Sequence, residues 1–355
     1  MGVLRLSLAV TVLLFHVGVG SSPYFRPING ESAVFCFFVI SGFYMEMILA
    51  QKYTRERLGP NWVWLFYASR YLRLFPLYAI VALVVLFFGP QGSVAQMPAG
   101  FAAPGHAVTI TVLRTALAAV ANATLFLSNV PSVTDLWITA IWSLGVELSF
   151  YAVAPWLLRM RLGWLAAAAA IGASLQFLPY GQHAPVLFGA HFFILGALLS
   201  RYRGAITERG PFQRLWRGKW ILYGLVLFLV FYSLPWDIAL GPPQNHAYNF
   251  LDRTLYPLAI GLLLPFLHEA TQNSGTDFFI GKLSYPFYLL QQFLVDVSAG
   301  WTSAYKTWTL VLTCVLASVV LSEIERLAIE PWRQRLGEGR KRPARGAGGK
   351  PAGSE

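Results

Sequence analysis

The chain has 355 residues, of which 56% are hydrophobic and only 12% are charged, and its mean hydropathy is +0.54. This composition leaves too little polar surface to cover a soluble globule of this size, so it excludes a soluble protein and indicates burial in a membrane. The net charge of +11 does not indicate nucleic-acid binding, because the Lys and Arg residues cluster in short runs between apolar segments, as in inner-membrane proteins.

The order of apolar segments predicts an all-α, polytopic membrane bundle of about ten transmembrane helices, since a helix needs about 20 apolar residues to cross the hydrocarbon layer. The predicted spans are 4–20, 33–50, 70–89, 136–158, 163–178, 184–200, 218–235, 254–268, 279–297 and 308–328. A weaker, Ala-rich stretch at 108–128 is predicted to be an interfacial or re-entrant helix. Eleven or twelve spans remain possible.

The basic residues between the spans predict the orientation. If 108–128 does not cross, the basic runs fall on one side, and the loops at 90–107, 179–183 and 236–253 are nearly free of Lys and Arg. Both termini are then cytoplasmic, and the protein is predicted to lie in the inner membrane of a bacterial cell.

The predicted domain arrangement is a membrane domain over residues 1–335 followed by a disordered basic tail at 336–355. The tail is rich in Gly, Arg and Pro and has no apolar area to bury. The first twenty residues also resemble a secretory signal, with Arg5, an apolar run and small residues near Gly20. Such runs rarely hold a histidine, so His16 favours a retained first span.

Ionisable side chains inside the spans are costly in hydrocarbon, so each one is a functional candidate. In chain order they are Arg5, His16, Glu46, Glu147, His191, Asp296, Glu323 and Glu325. Cys36 and Cys314 each lie in an apolar span without a C-x-x-C pair or a His-rich cluster, so the sequence predicts neither a disulfide nor a metal site.

Arg5 and His16 are eleven residues apart, which is about three turns and roughly 16 Å along a helix, so they share nearly the same face at different depths. A group bound through its phosphates near Arg5 could extend a thin arm to His16, and the pantetheine arm of coenzyme A has that reach. The alternative is that Arg5 anchors the helix end and His16 hydrogen-bonds a neighbouring helix.

The second and third spans carry two further candidate groups. Ser41 and Gly42 bring a hydroxyl and a missing side chain into the second span, which allows either close helix packing or the approach of a thioester. Arg70 and Arg73 share one helix face at the start of the third span and could clamp phosphate oxygens. Anchoring to lipid head groups is the alternative for this pair.

Glu147 lies deep in the fourth span, where an isolated carboxylate would seek a partner. His16 is the predicted partner. A neutral imidazole held by a carboxylate can take the proton from a sugar hydroxyl, which acyl transfer from a thioester to an alcohol requires. A buried ion pair between Glu147 and an arginine is the alternative.

Six short motifs follow one another along residues 3–335. They are L-R-x10-H at 4–16, F-F-V-I-S-G-F at 37–43, R-Y-L-R-L-F-P-L-Y at 70–78, W-S-L-G-V-E at 142–147, G-K-L-S-Y-P-F-Y-L at 281–289 and I-E-P-W-R at 329–333. In this order and at these intervals they resemble the acyltransferase-3 family of membrane O-acyltransferases. Members of that family acylate bacterial surface polysaccharides, lipopolysaccharide O-antigen, Nod factors and some antibiotics.

The resemblance implies transfer of an acyl group, most simply acetyl, from acetyl-CoA or another acyl-CoA to a hydroxyl of a cell-surface or exported carbohydrate or glycolipid. It implies no metal and no nucleic-acid partner, and membrane lipids surround the domain. The implied catalytic residues are His16 and Glu147, and the implied cofactor-binding residues are Arg5, Ser41, Arg70 and Arg73.

The chain also departs from the family pattern. Phe35 stands where many members have an acidic residue, and Leu148 and Ser149 stand where many have Glu and Gln. Gln291 follows the S-Y-x-x-Y-L element where many members carry a histidine, so a second-histidine role cannot be transferred. The competing functional class is a transporter or channel of a small solute or glycan precursor, which would explain buried charges but not the R-Y-L-R motif.

Overall fold

The structure is a computed structural model that describes residues 1–19, 25, 27–89, 116–126, 128, 136–138, 140–174, 185–209, 218–232, 246–299 and 306–332. Its helices are α1 Gly2–Val17, α2 Gly30–Gln51, α3 Arg55–Leu58, α4 Trp62–Phe88, α5 116–124, α6 Ile141–Leu157, α7 Leu162–Ser174, α8 Pro185–Arg201, α9 Arg203–Arg209, α10 Lys219–Phe231, α11 His246–Thr271, α12 Gly275–Val297 and α13 Lys306–Ile324, which a π-helical turn, Glu325–Ile329, continues. The described residues form no strand, which confirms the all-α prediction. The predicted tail at 336–355 lies outside them.

Local sequence signals set several helix ends. The side chain of Asn29 accepts the backbone N–H of Glu31 at 2.9 Å and so caps the start of α2. Ser274 caps α12 in the same way through the N–H of Asp277 at 3.3 Å. At its far end α1 stops at Gly18, whose φ of 71° lies in the left-handed region that glycine adopts without strain.

The third predicted span begins too late. The helix α4 starts at Trp62 rather than at residue 70, because Trp62 to Ala68 continue the apolar run before the basic motif. Arg70 and Arg73 therefore lie inside the helix, not at its start. The predicted stretch 108–128 is described only at 116–126 and 128, where 116–124 is helical.

The ten long helices that the structure describes alternate in direction. Arg201 at the end of α8 binds Glu46 near the end of α2 through its Nε at 2.8 Å. The Arg159 guanidinium, which follows α6, lies 4.1 Å from the centroid of the Trp62 ring at the start of α4. These contacts bring the ends of α2, α6 and α8 and the start of α4 to the same level of the bundle. We call this level the basic end, and it contains Lys52, Arg159, Arg201, Lys219 and Lys282.

The outer surface of the bundle is apolar. The helices α2 and α4 and the continuous segment Lys306–Trp332 are long and apolar enough to cross a membrane by length and composition, and five shorter apolar helices accompany them. Large aromatic side chains project outward at the basic end, as in the aromatic belts of membrane proteins. The tryptophans among them are Trp64, Trp156, Trp164, Trp220 and Trp332, which are exposed by 61% to 74%. The number of about ten spans stays a prediction.

The helices α2 and α8 cross with their backbones in contact. A Cβ atom added to Gly42 would lie 1.9 Å from the carbonyl oxygen of Phe193, and one added to Gly196 would lie 1.9 Å from that of Val39. Neither position can hold a side chain without separating the helices, which is the role small residues play at helix crossings in membranes. The crossing holds Ser41, the neighbour of Gly42, at a fixed place on α2.

We expect the Gly196→Val variant to be destabilised by about 3 kcal/mol, because the added side chain overpacks a backbone contact. The measurement is the melting temperature of the detergent-purified protein by fluorescence-detected gel filtration. Gly224→Val is the matched control, since a Cβ at Gly224 in α10 meets nothing within 4 Å. Equal melting temperatures for the two variants would contradict the close α2–α8 contact.

Candidate active site

Two cavities lie one behind the other inside the bundle. The first, which we call the vestibule, lies at the basic end, has a volume of about 830 Å³ and is lined mainly by α1, α2, α4, α12 and the segment from α13 to the π-helical turn. The second, the inner chamber, has a volume of about 90 Å³ and lies deeper, against α6. Both are lined by Arg5, Tyr44, Arg73 and Tyr285, which we call the junction.

The α4 arginines take different places in these cavities. Arg73 lines both of them, whereas Arg70 lines only the vestibule. Arg70 is only 8% exposed, and its Nε and Nη1 atoms have no hydrogen-bond partner among the described residues. Its remaining nitrogen donates to Ser69 Oγ at 3.4 Å. Buried guanidinium donors usually have acceptors, so Arg70 offers two unpaired donors at the wall of the vestibule.

Close packing of α1 on α12 holds Arg5 at the junction. A Cβ atom on Gly281 would lie 3.1 Å from the Cα atom of Gly2, so the two backbones touch at this level. The Asp277 carboxylate accepts the backbone N–H of Gly2 at 2.6 Å and that of Val3 at 3.1 Å. A carboxylate at a helix N-terminus stabilises the helix, and here it sets the depth of the first turn of α1 and thus of Arg5.

Glu147 lies in the wall of the inner chamber and is held by two hydroxyl groups. The side chains of Ser41 and Tyr151 both donate to its Oε1 atom. Among the described residues Glu147 forms no salt bridge, although Arg5 and Arg73 line the same chamber. The chamber therefore combines one hydroxyl-bound carboxylate with two guanidinium groups, which leaves an excess of positive charge beside it.

The deeper part of the chamber carries a second polar contact. Ser143 and Tyr288 share a hydrogen bond of 2.8 Å between their hydroxyl groups, and both line the chamber. Apolar side chains such as Phe37, Phe38 and Leu144 form the opposite wall. A narrow cavity with one apolar wall and spaced hydroxyl groups suits a thin, partly polar chain.

The predicted pairing of Glu147 with His16 is not observed. Glu147 is held by Ser41 and Tyr151, while His16 lies at the end of α1 away from the basic end, where it is exposed and lines neither cavity. The physical reason is helix direction: α1 rises from Arg5 at the junction and carries His16 about three turns beyond it. Of the predicted cofactor residues, Arg5 and Arg73 line both cavities, whereas Ser41 lines only the inner chamber and Arg70 only the vestibule.

Three tyrosines belong to the site although sequence reasoning gave them no role. Tyr44 and Tyr285 form half of the junction, and Tyr285 donates to the backbone carbonyl of Leu74 at 2.7 Å. Tyr151 binds Glu147 from one helical turn away. The sequence did contain a signal for two of them. Tyr285 lies in the S-Y-P-F-Y-L motif, and Tyr151 follows Glu147 at the i+4 spacing that brings helix side chains together.

The fold and these cavities define a helical membrane protein with an arginine-lined internal cavity. Residues 1–323 match the family model of the acyltransferase-3 domain, described as an acyltransferase domain, and the chain therefore belongs to the acyltransferase-3 family. It is accordingly a membrane acyltransferase, which confirms the resemblance predicted from the motifs. No curated protein and no solved structure matches the chain at a significant level.

Proposed function

We propose that the protein transfers an acetyl group from acetyl-CoA to a hydroxyl of a cell-surface or exported carbohydrate. The observation that carries this proposal is the junction, where the basic vestibule meets a narrow chamber. A volume of about 830 Å³ falls in the range of cofactor pockets. The membrane domain over 1–335 carries the activity, and the segment 336–355 is its basic tail.

The charges of the vestibule support a phosphate-bearing donor. Two of its cations are engaged, because Lys282 binds Glu330 at 3.5 Å and Arg326 binds Glu323 at 2.7 Å. Arg5, Arg70 and Arg73 form no salt bridge within the described part of the chain. Guanidinium groups bind phosphate oxygens through paired, charge-assisted hydrogen bonds, and coenzyme A presents a diphosphate and a 3′-phosphate to such a cluster.

The position of the chamber supports a route for the thioester. Beyond the junction the pantetheine arm enters the inner chamber between Ser41 and Tyr288, and His16 lies farther along α1, about 16 Å from Arg5. His16 then accepts the proton of the acceptor hydroxyl while the hydroxyl oxygen attacks the thioester carbonyl. The departing CoA thiolate takes that proton from the imidazolium, so acetyl-CoA and alcohol become acetate ester and free CoA.

The distribution of charge supports an orientation with the basic end in the cytoplasm of a bacterial cell, in its inner membrane, and with both termini inside. Acyl-CoA is made in the cytoplasm, so the vestibule then faces the donor pool. His16, at the opposite end of α1, faces carbohydrate acceptors on the outer side. Membrane lipids surround the apolar surface between these two levels.

The test is a free-thiol assay with the full-length protein in lipid nanodiscs. We expect acetyl-CoA to release free CoA in the presence of a bacterial surface-glycan fraction, with acetate ester appearing on the glycan by mass spectrometry. A transporter would release no thiol. Absence of thiol release with acetyl-, butyryl- and palmitoyl-CoA would overturn the proposed donor, and release without ester on any glycan would overturn the proposed acceptor.

A further inference from the structure

A second polar group lies at the end of the bundle opposite the basic end, outside both cavities. On α12 the Nε2 atom of Gln292 donates to Oδ1 of Asp296 at 2.8 Å. This hydrogen bond connects residues one helical turn apart and fixes the plane of the Asp296 carboxylate. The Asp296 side chain is partly buried at this end of the bundle.

The register of α1 on α12 brings Asp296 to the level of His16. The two helices touch at Gly2 and Gly281 and run in the same direction from there. His16 lies fourteen residues beyond Gly2 and Asp296 fifteen beyond Gly281, so both lie about 21 to 22 Å above the contact.

The two side chains also leave the helices on the same side of the interface. At about 100° per residue, His16 is turned about 40° backward from the contact line and Asp296 about 60° forward. Because the helices are parallel and face each other, these opposite turns carry both side chains to one side. Consistent with this, Asp296 is the charged group that acts electrostatically on the His16 imidazole.

Two other carboxylates among the described residues are engaged elsewhere. Glu147 is bound by Ser41 and Tyr151 in the inner chamber. Glu31, which lies at the same end as His16, forms a salt bridge with Arg253 at 2.5 Å. The Asp296 carboxylate accepts a single described hydrogen bond, from the Gln292 amide, which is neutral and leaves the charge uncompensated.

We infer that Asp296, oriented by Gln292, is the positioning residue of His16. This inference rests on the proposed function and replaces Glu147 in the role that the sequence assigned to it. The described residues show an electrostatic interaction between the two groups and no direct hydrogen bond. When the acceptor hydroxyl binds, Asp296 accepts the N–H of one imidazole nitrogen, which leaves the other nitrogen unprotonated and directed at that hydroxyl. When that nitrogen takes the hydroxyl proton, the carboxylate stabilises the resulting imidazolium, and Asp296 itself stays ionised.

The test is the turnover of the full-length protein in nanodiscs with acetyl-CoA and glycan acceptor. We expect Asp296→Asn to lower kcat by about 10²-fold, a part of the general-base contribution. Its KM for acetyl-CoA should stay unchanged, because the vestibule lies at the other end of the bundle. Asp296→Glu should recover part of the lost kcat, and Gln292→Leu should lower kcat by a smaller factor.

Glu31→Gln is the matched control, since it removes a carboxylate at the same end and should keep the parent kcat. In the double variant, Asp296→Asn should slow a His16→Ala protein no further, because it acts through that imidazole. Parent-like kcat in Asp296→Asn beside an inactive His16→Ala protein would overturn this inference alone. Full activity in His16→Ala would overturn both the inference and the proposed acid–base chemistry.

Discussion

The His16→Ala variant is expected to lose about 10³-fold in acetyl transfer, within the range that a positioned general base contributes. The loss should lie in kcat, because the imidazole acts on the reacting hydroxyl and not on the donor phosphates. Binding of acetyl-CoA should be unchanged, since Arg5 lies about three turns away at the junction. Ester formation on the glycan and equilibrium binding of radiolabelled acetyl-CoA measure the two quantities separately.

Val17→Ala is the control for this variant, because Val17 is the next residue of α1, is partly buried and carries no polar group. We expect it to keep both transfer and binding. Parent-like transfer by His16→Ala at equal expression would show that another group accepts the proton. Loss of acetyl-CoA binding in His16→Ala would instead mean that the change had disturbed α1 as a whole.

The helical class of the fold could be predicted from the sequence because apolar length is a one-dimensional signal. The predicted span at 33–50 lies within α2, and that at 279–297 nearly coincides with α12. The start of α4 was missed because the predicted span began at the R-Y-L-R motif, although residues 62–68 continue the apolar run before it.

The part of the site that is proposed to bind the acyl donor could also be predicted from the sequence in large part. Arg70 and Arg73 are neighbours on one helix face, and helix periodicity alone places them together. Arg5 and Ser41 come from other helices, and their convergence with Arg73 on the inner chamber depends on the α1–α12 and α2–α8 backbone contacts. Glycine in a membrane helix marks such a contact, but it does not say which helix is the partner.

The pairing of His16 could not be predicted from spacing. Glu147 was chosen because it lies deep in the fourth span and would seek a partner there, yet depth along one span does not give the direction or register of its neighbours. The structure supplies both: α6 presents Glu147 to Ser41, while α12 carries Asp296 to the level of His16. A buried acid and a histidine in one sequence are thus weak evidence for a pair.

Replacing Arg70 and Arg73 together by glutamine is expected to weaken acetyl-CoA binding by about 10² to 10³-fold. Each lost hydrogen bond to a charged group is worth about 1.5 to 3 kcal/mol, and each 1.4 kcal/mol is tenfold in Kd. The effect should appear as a raised KM with kcat little changed, which is the signature of lost binding in the ground state and transition state alike. Binding of radiolabelled acetyl-CoA measures it directly.

Salt dependence and a matched variant separate phosphate binding from structural damage. Binding to the parent protein should weaken as ionic strength rises, and binding to the double variant should respond less, because fewer charge contacts remain to be screened. Arg57→Gln removes an exposed guanidinium of α3 at the same end of the bundle and should leave Kd unchanged. If the double variant and Arg57→Gln bound acetyl-CoA equally well, the vestibule would not be the donor site, and the division between a phosphate-binding basic end and a proton-accepting opposite end would fail.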